Sequence, residues 1–408
     1  MTLLILALRN VLRNRRRSLA TIAAVAAGLA AVNLFGGYIS NVYAGLQMQA
    51  VAGERLGHLT IYKTGMLTLG KLNPKKYMFD AEETARLTRT LHELPYVKLV
   101  SPRISFSGIA SNGKASSIFI GEGVVAEDAD TLRGSLPAGT GGALRPGMRY
   151  GLAVSSELAE MLKFKKGDSM TLMTSTIDGQ ANAMDAEVID IFNTGNAGTN
   201  DKYMLAPVAF AQSLLDTATV ERFVVLLDDV DKTEAARVDI ARRLAAAGFD
   251  VQIKTWQELS SFYASVRNLF NMIFGFIASI VFIVAAMSIA NTMAMAVVER
   301  TREIGTLQAM GMRERSVIGL FLLEGMWIAA AGVLAGLAVT LVAAFSVNHA
   351  GITYVPPNSS YAVALLVDLD WPRIAGVGAV VVLLALASAL LPAWRGARRD
   401  IVEALAFN

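Results

Sequence analysis

Cysteine is absent from the 408 residues, histidine occurs three times and proline ten. Without Cys there is no disulfide framework and no thiolate metal site, so any domain must be stabilised by its own apolar core, whatever its redox compartment. His58, His92 and His349 lie too far apart for metal-ligand spacing. Neither a G-x-S-x-G elbow nor a helical H-E-x-x-H occurs, so no motif argues for a hydrolase. Charged residues make up only 17%. Apolar residues take their place, at 54% with a mean hydropathy of +0.46, which is unusual for a soluble chain of this length.

Four apolar stretches, residues 19–39, 269–298, 317–347 and 374–391, account for that excess. A hydrocarbon core of ~30 Å needs about 20 helical residues, and a span must be helical because lipid offers no partner for backbone polar groups. The first stretch is longer than the ~7–15 residue core of a signal peptide, so it reads as a span rather than a cleaved leader. Basic residues flank the spans on one side. Arg9, Arg13, Arg15, Arg16 and Arg17 precede the first, Arg300, Arg302, Arg313 and Arg315 lie between the second and third, and Arg395, Arg398 and Arg399 follow the fourth. Residues 348–372 carry no Lys or Arg. The positive-inside rule therefore places both termini and the middle loop in the cytoplasm, and residues 41–267 outside.

The sequence pI near 9.0 would fit a nucleic-acid binder, but the charge is unevenly placed. Residues 41–267 hold 24 Lys and Arg against 26 Asp and Glu. Basicity therefore follows membrane orientation, with contact to anionic lipid headgroups, and nucleic acid is not an expected partner.

The expected fold is four transmembrane α-helices with a large α+β domain between spans one and two. In order, residues 1–18 form a cytoplasmic amphipathic helix with Leu4, Leu8, Val11 and Leu12 on one face, and 19–49 the first span and its stalk. Residues 50–256 form the outer domain, 257–298 a second stalk and span in one unbroken helix, and 299–316 a cytoplasmic coupling loop. Span three at 317–347, an outer loop at 348–372, span four at 373–393 and a tail at 394–408 complete the chain.

In the outer domain, strand patterns fall at 58–63, 97–110, 116–121, 169–174, 187–192, 222–227 and 251–254. Helical patterns fall at 81–94, capped by Asp80 with Glu83 three residues on, and at 155–164, 207–215 and 232–247. Gly and Pro cluster between Gly134 and Gly151, which divides the domain into one lobe of 50–130 with 220–256 and a second, inserted lobe of about 131–219.

Among candidate motifs, Gly65 to Leu72 imitates a phosphate-binding loop, but Leu72 stands where the metal-binding hydroxyl belongs and Asn73-Pro74 where a helix should start. Glu324, two turns into span three, must face another helix or reach the interface, because a carboxylate there costs ~2.5–3.5 kcal/mol. No partner acid or base occurs in the other spans, which weighs against a proton relay, and Asn33 and Asn291 are its expected hydrogen-bond partners. Gly332-x-x-x-Gly336 permits close helix packing. Between spans two and three, Glu299, Arg300, Arg302 and Glu303 cluster at one end of a segment in which Ile304, Leu307 and Met310 recur at helical spacing and Gly305 and Gly311 interrupt. That is a short amphipathic helix suited to transmitting a push.

The run E-R-T-R-E-I-G-T-L-Q-A-M-G at 299–311 resembles the signature of the MacB/FtsX-type (type VII) ABC transporter permeases. The C-terminal L-P-A-W-R-G-A-R-R-D-I-V-E-A-L at 391–405 is similar to that family's closing motif, with Ile401 where Pro is usual, and the N-terminal R-N-x-x-R-N-R-R-R also fits. In layout, and from Gly57 to Tyr62 and Val100 to Arg103, the chain looks most like the lipoprotein-releasing LolC/LolE group. The resemblance implies a non-catalytic permease subunit of the bacterial inner membrane, in a homo- or heterodimer, whose residues 299–311 dock against a separate cytoplasmic ATPase. That partner binds ATP and Mg; this chain binds no cofactor. The resemblance further implies motion of the periplasmic domain acting on lipoprotein, lipid or another envelope substrate, with a periplasmic carrier or adaptor. The alternatives within the family are a scaffold that activates a cell-wall hydrolase and a MacB-like efflux component.

Overall fold

The computed structural model describes residues 2–70, 72–133, 144, 147, 149–356 and 358–406. Among these residues, four helices are long and apolar enough to cross a membrane: Arg15–Gly53, Ser261–Glu299, Glu314–His349 and Trp371–Ala397. The first and second, at 39 residues each, extend about 58 Å at ~1.5 Å per residue, nearly twice a hydrocarbon core. The first ends in a π turn, Gln49–Gly53. The helix expected to run unbroken from 257 is interrupted at Ser260, whose backbone is extended after the short helix Trp256–Leu259. No Gly or Pro marks that break. Thr255 and Glu258 cap the short helix reciprocally, and Trp256 packs on Tyr263 with ring centroids 4.6 Å apart, so tertiary contact sets the bend.

The chain divides into two units, one containing Ala44–Val266 with Tyr354–Val363, the other the spanning helices and their connectors. The first unit is built on nine strands: β1 Leu59–Lys63, β2 Val97–Ser111, β3 Ser116–Val124, β4 Gly151–Ser155, β5 Ser169–Ser175, β6 Ala181–Phe192, β7 Tyr203–Pro207, β8 Arg222–Leu227 and β9 Val251–Thr255. Their order is β3-β7-β4-β6-β5-β2-β8-β1-β9, and β3 also pairs with β2, so six strands close on themselves as a barrel. Alternation along β2 and β3 turns Phe106 and Phe119 inward onto Leu152, Leu172, Val188, Met204 and Phe210. The remaining strands form a second layer. There β1, β8, β9 and the first half of β2 pack Leu59, Ile61, Phe223 and Val225 against Leu87 of the helix Ala81–His92 and Ile240 of Thr233–Ala246. Asp80 and Glu83 form the expected capping box.

Two strands escape the alternation rule. β4 is wholly buried, with apolar Leu152, Ala153 and Val154 in succession, and β7 ends on Pro207, so neither shows a period of two. The lobe boundary also differs from expectation. The long strand β2 crosses it: Val97–Arg103 pairs with β8, and Ile104–Ser111 pairs with β3. The division therefore falls at Arg103/Ile104 rather than near 131, and β3 belongs to the barrel. Of the Gly/Pro cluster, residues 134–143, 145, 146 and 148 lie outside the described residues, as does Lys71 of the phosphate-loop-like segment.

Charge is buried at that joint. Arg222 of β8 reaches Glu122 of β3 at 2.6 Å, and Tyr203 donates to the same carboxylate at 3.0 Å. Burial alone would raise the Glu122 carboxyl, but Arg103, Arg222 and Arg55 beside it outweigh burial and hold it below the usual range. Arg103 is fully buried, and among the described residues its three guanidinium nitrogens have no hydrogen-bond partner.

Candidate coupling site

The helical spacing noted between the second and third spans produces a separate helix, Thr301–Ala309. Glu299 closes the preceding span, and Arg300 breaks the helix at φ −110°. The helix is anchored by its apolar face: Ile304 packs with Val297 of span two, Val317 and Phe321 of span three, and Ala393 and Ala397 of span four. Burial of Thr301, Ile304 and Gly305 turns Arg302, Thr306, Ala309 and Met310 outward, an i, i+4, i+7, i+8 stripe. Met310 was expected beside Ile304, but the helix has ended at Ala309 and its side chain is 72% exposed. Leu307 is half-buried and Gly311 exposed.

Of the charged residues at the start of the segment, Arg300 turns inward, while Glu299, Arg302 and Glu303 stay exposed. Arg300 Nη1 donates to Glu324 Oε1 at 2.7 Å, and Asn10 Nδ2 donates to the same oxygen at 2.6 Å. The Arg300 and Glu324 side chains are 8% and 3% exposed, so this is a buried ion pair. Glu324 is therefore partnered by Asn10 and Arg300, not by Asn33 and Asn291. Asn291 is exposed, while Asn33 is buried with neither amide atom hydrogen-bonded among the described residues. Two further pairs, Arg13 with Glu303 at 3.1 Å and Arg17 with Glu299 at 2.9 Å, hold the N-terminal segments to the connector. Gln308 donates to the Ala397 carbonyl at 2.7 Å and Arg399 to the Thr301 hydroxyl at 3.3 Å, so the C-terminal segment is held as well. Asn10, Arg13 and Arg17 escaped sequence reading because each reaches across some 300 residues; Asn10 among apolar neighbours was the available signal.

The N-terminal helix Thr2–Arg13 has two apolar sides. Ala7 is buried against the protein, while Leu4, Ile5, Leu8 and Leu12 are exposed at 43%, 57%, 38% and 58%. A groove of about 390 Å³ lies between it and the connector, lined by Leu6, Asn10, Arg13, Ile304, Leu307 and Phe321 among others. Span three lies close against span one at the small-residue pair: a methyl group added to Gly332 would come within 2.7 Å of Val25, and one on Gly336 within 2.9 Å of the Ala26 carbonyl.

Four apolar helices, a mixed α+β domain between the first two and a helix-bearing connector between the second and third give the layout of a multi-pass membrane protein. Residues 18–243 match the MacB-like periplasmic core domain family, and residues 275–401 match the FtsX-like permease C-terminal family. The chain belongs to the MacB/LolC-type ABC transporter permeases. Among curated relatives it is 22% identical over 291 residues to the lipoprotein-releasing system transmembrane protein LolC of Xylella fastidiosa, covering 68% of this chain and 69% of that one. It is 33% identical over 176 residues to the pyoverdine export ATP-binding/permease protein PvdT of Pseudomonas putida, covering 43% of this chain and 25% of that protein. To the macrolide export ATP-binding/permease protein MacB of Hyphomonas neptunium it is 30% identical over 199 residues, covering 48% of this chain and 28% of that protein. The chain thus spans about a quarter of the PvdT and MacB relatives. A solved structure, the periplasmic region of MacB from Actinobacillus actinomycetemcomitans, aligns with a TM-score of 0.36 at 15% identity, covering 52% of this chain and 92% of that one.

Proposed function

We propose that the chain is the permease subunit of an ABC transporter in the bacterial inner membrane, with both termini and the connector helix in the cytoplasm. A separate ATPase, binding ATP and Mg, docks on the outward stripe Arg302, Thr306, Ala309 and Met310. Its nucleotide cycle moves the periplasmic domain through the helices, acting on an envelope substrate outside the membrane. The permease works as a dimer with a second permease subunit. The relatives' names refer to release of lipoprotein and to export of pyoverdine and of macrolide; lipoprotein or another lipidic substrate is favoured for this chain, because the LolC match covers two thirds of both chains.

The observation that carries this reading is the way the connector is held. Glu299, Arg300 and Glu303 are taken up in ion pairs to the N-terminal segments and span three, Arg302 faces outward, and Ile304 is locked among three spans, so a push on the outward stripe is shared by the whole bundle. The test is co-purification of the full-length chain with the ATPase. Met310→Asp or Arg302→Glu should lose the ATPase without altering thermal unfolding, since neither residue is buried. Retention of the ATPase by both variants would remove the docking assignment.

A further inference from the structure

We propose that the loop between spans three and four is a strap that couples this helix pair to the barrel lobe, at a seat where the barrel loop also meets the end of the first spanning helix. The driving motion rests on the transport reading above; the seat of the strap does not.

Chain order supplies half of the argument. The first spanning helix leads into β1 and β9 leads back toward the second, and β1 and β9 are paired neighbours, Leu59 opposite Thr255. Both of these connections therefore enter the four-stranded lobe. The loop after Glu314–His349 behaves differently, because its residues Tyr354–Val363 cluster with the outer unit.

The seat is specific. Ser359 bridges Asn196 in antiparallel register, Ala197 N–H donates to the Asn358 carbonyl at 3.1 Å, and Ser360 N–H donates to the Gly195 carbonyl at 3.3 Å. The Ser360 hydroxyl also donates to Asn193 Oδ1. Gly195 has φ +79°, and a methyl group there would lie 3.0 Å from Gln49 Oε1 and 3.2 Å from the Tyr361 ring, so strap, barrel loop and the last turn of the first helix converge on a position that only glycine fits well. The barrel loop is itself pinned: Asn200, 2% exposed, donates to Ser156 Oγ and Glu157 Oε1, both at 3.0 Å, and accepts from Thr194 N–H. The helix Ser156–Met161 in turn packs Leu158 and Ala159 into the barrel core. A pull on the strap thus reaches the barrel through backbone bonds and a buried amide.

The first two spans enter the four-stranded lobe, with the end of the first also touching the barrel at Gly195, and the strap ties spans three and four to the barrel, so displacement of the second pair against the first becomes rotation about β2 at Arg103/Ile104. The Arg222–Glu122 ion pair bridges the lobes beside that joint.

Because the chain has no Cys, labels can be placed freely. Opposed residues of an antiparallel bridge are ~5 Å apart at Cα, within disulfide reach. Asn196→Cys with Ser359→Cys in the full-length protein should cross-link under mild oxidant; failure to do so overturns the seat. Spin labels at Met161→Cys on the barrel and Arg242→Cys on the other lobe, in nanodiscs with the ATPase, should report an ATP-dependent distance change. Replacing residues 358–361 by Gly-Ser-Gly-Ser should abolish that change while ATP hydrolysis continues and the nucleotide-free distance stays the same. Ser360→Ala, which keeps the backbone, should diminish it. A change that survives both variants overturns the strap alone. Wild-type protein that hydrolyses ATP with no change in lobe distance overturns the transport reading and the strap with it.

Discussion

Removing one partner of the Arg300–Glu324 pair leaves the other charged in a site that is less than a tenth exposed. Glu324→Leu strands both Arg300 and the Asn10 amide, and Arg300→Met strands the carboxylate with only Asn10 to meet it. Each single change should cost about 3–5 kcal/mol, the loss expected when a buried pair is broken from one side. The double variant removes both charges and leaves only Asn10 Nδ2 without its acceptor, a loss of roughly 1–3 kcal/mol. It should therefore be more stable than either single variant, and adding Asn10→Leu should recover most of the remainder. Unfolding of the full-length protein in nanodiscs, followed by tryptophan fluorescence, reads the membrane unit through Trp327, Trp371 and Trp394. Additive single losses, or singles that each cost under about 1 kcal/mol as at exposed pairs, would refute the buried triad.

Ile304→Asp should unfold or misassemble the membrane unit, because it puts a carboxylate among Val297, Val317, Phe321 and Ala393; a melting curve unchanged from wild type would show that Ile304 faces solvent. Arg103→Met should leave the outer unit about as stable as wild type, because it removes a guanidinium with no hydrogen-bond partner among the described residues as well as one of the charges that offset Glu122, which Arg222 still pairs. A loss of more than about 2 kcal/mol in denaturant unfolding would mean that Arg103 supplies a needed charge. His58 Nδ1 accepts the Leu227 N–H at 2.9 Å, and burial pushes the imidazole below its ordinary 6.5. The unfolded chain then binds the proton more readily than the folded one. The stability from this site is fully present above pH 6.5 and is lost as pH falls below it through the folded value. Thermal unfolding between pH 7.5 and 5 should show less acid loss in His58→Gln than in wild type.

Sequence reading succeeded where a single local constraint dominates. The bilayer's demand for length located the spans, alternation located most strands, and Asp80 with Glu83 located a helix start. It failed where apolar runs carry no period, as at β4 and β7, and where one strand serves two lobes, as β2 does. At the candidate coupling site, the helix was visible between 299 and 311, but the facing of Met310 and the destination of each charge were not. Ion pairs spanning about 300 residues leave no trace in local spacing.

Composition and periodicity by themselves determined that this chain has four apolar helices, a Cys-free α+β domain between the first two and an amphipathic connector between the second and third, because hydration and backbone hydrogen bonding act residue by residue along the chain. Only the tertiary structure decided that β2 joins a closed barrel to a second layer, that Glu324 is held by Asn10 and Arg300, and that the outer loop seats at Gly195. Those choices depend on which distant groups can neutralise a buried charge or satisfy a buried amide, and proximity of that kind exists only once the chain has folded.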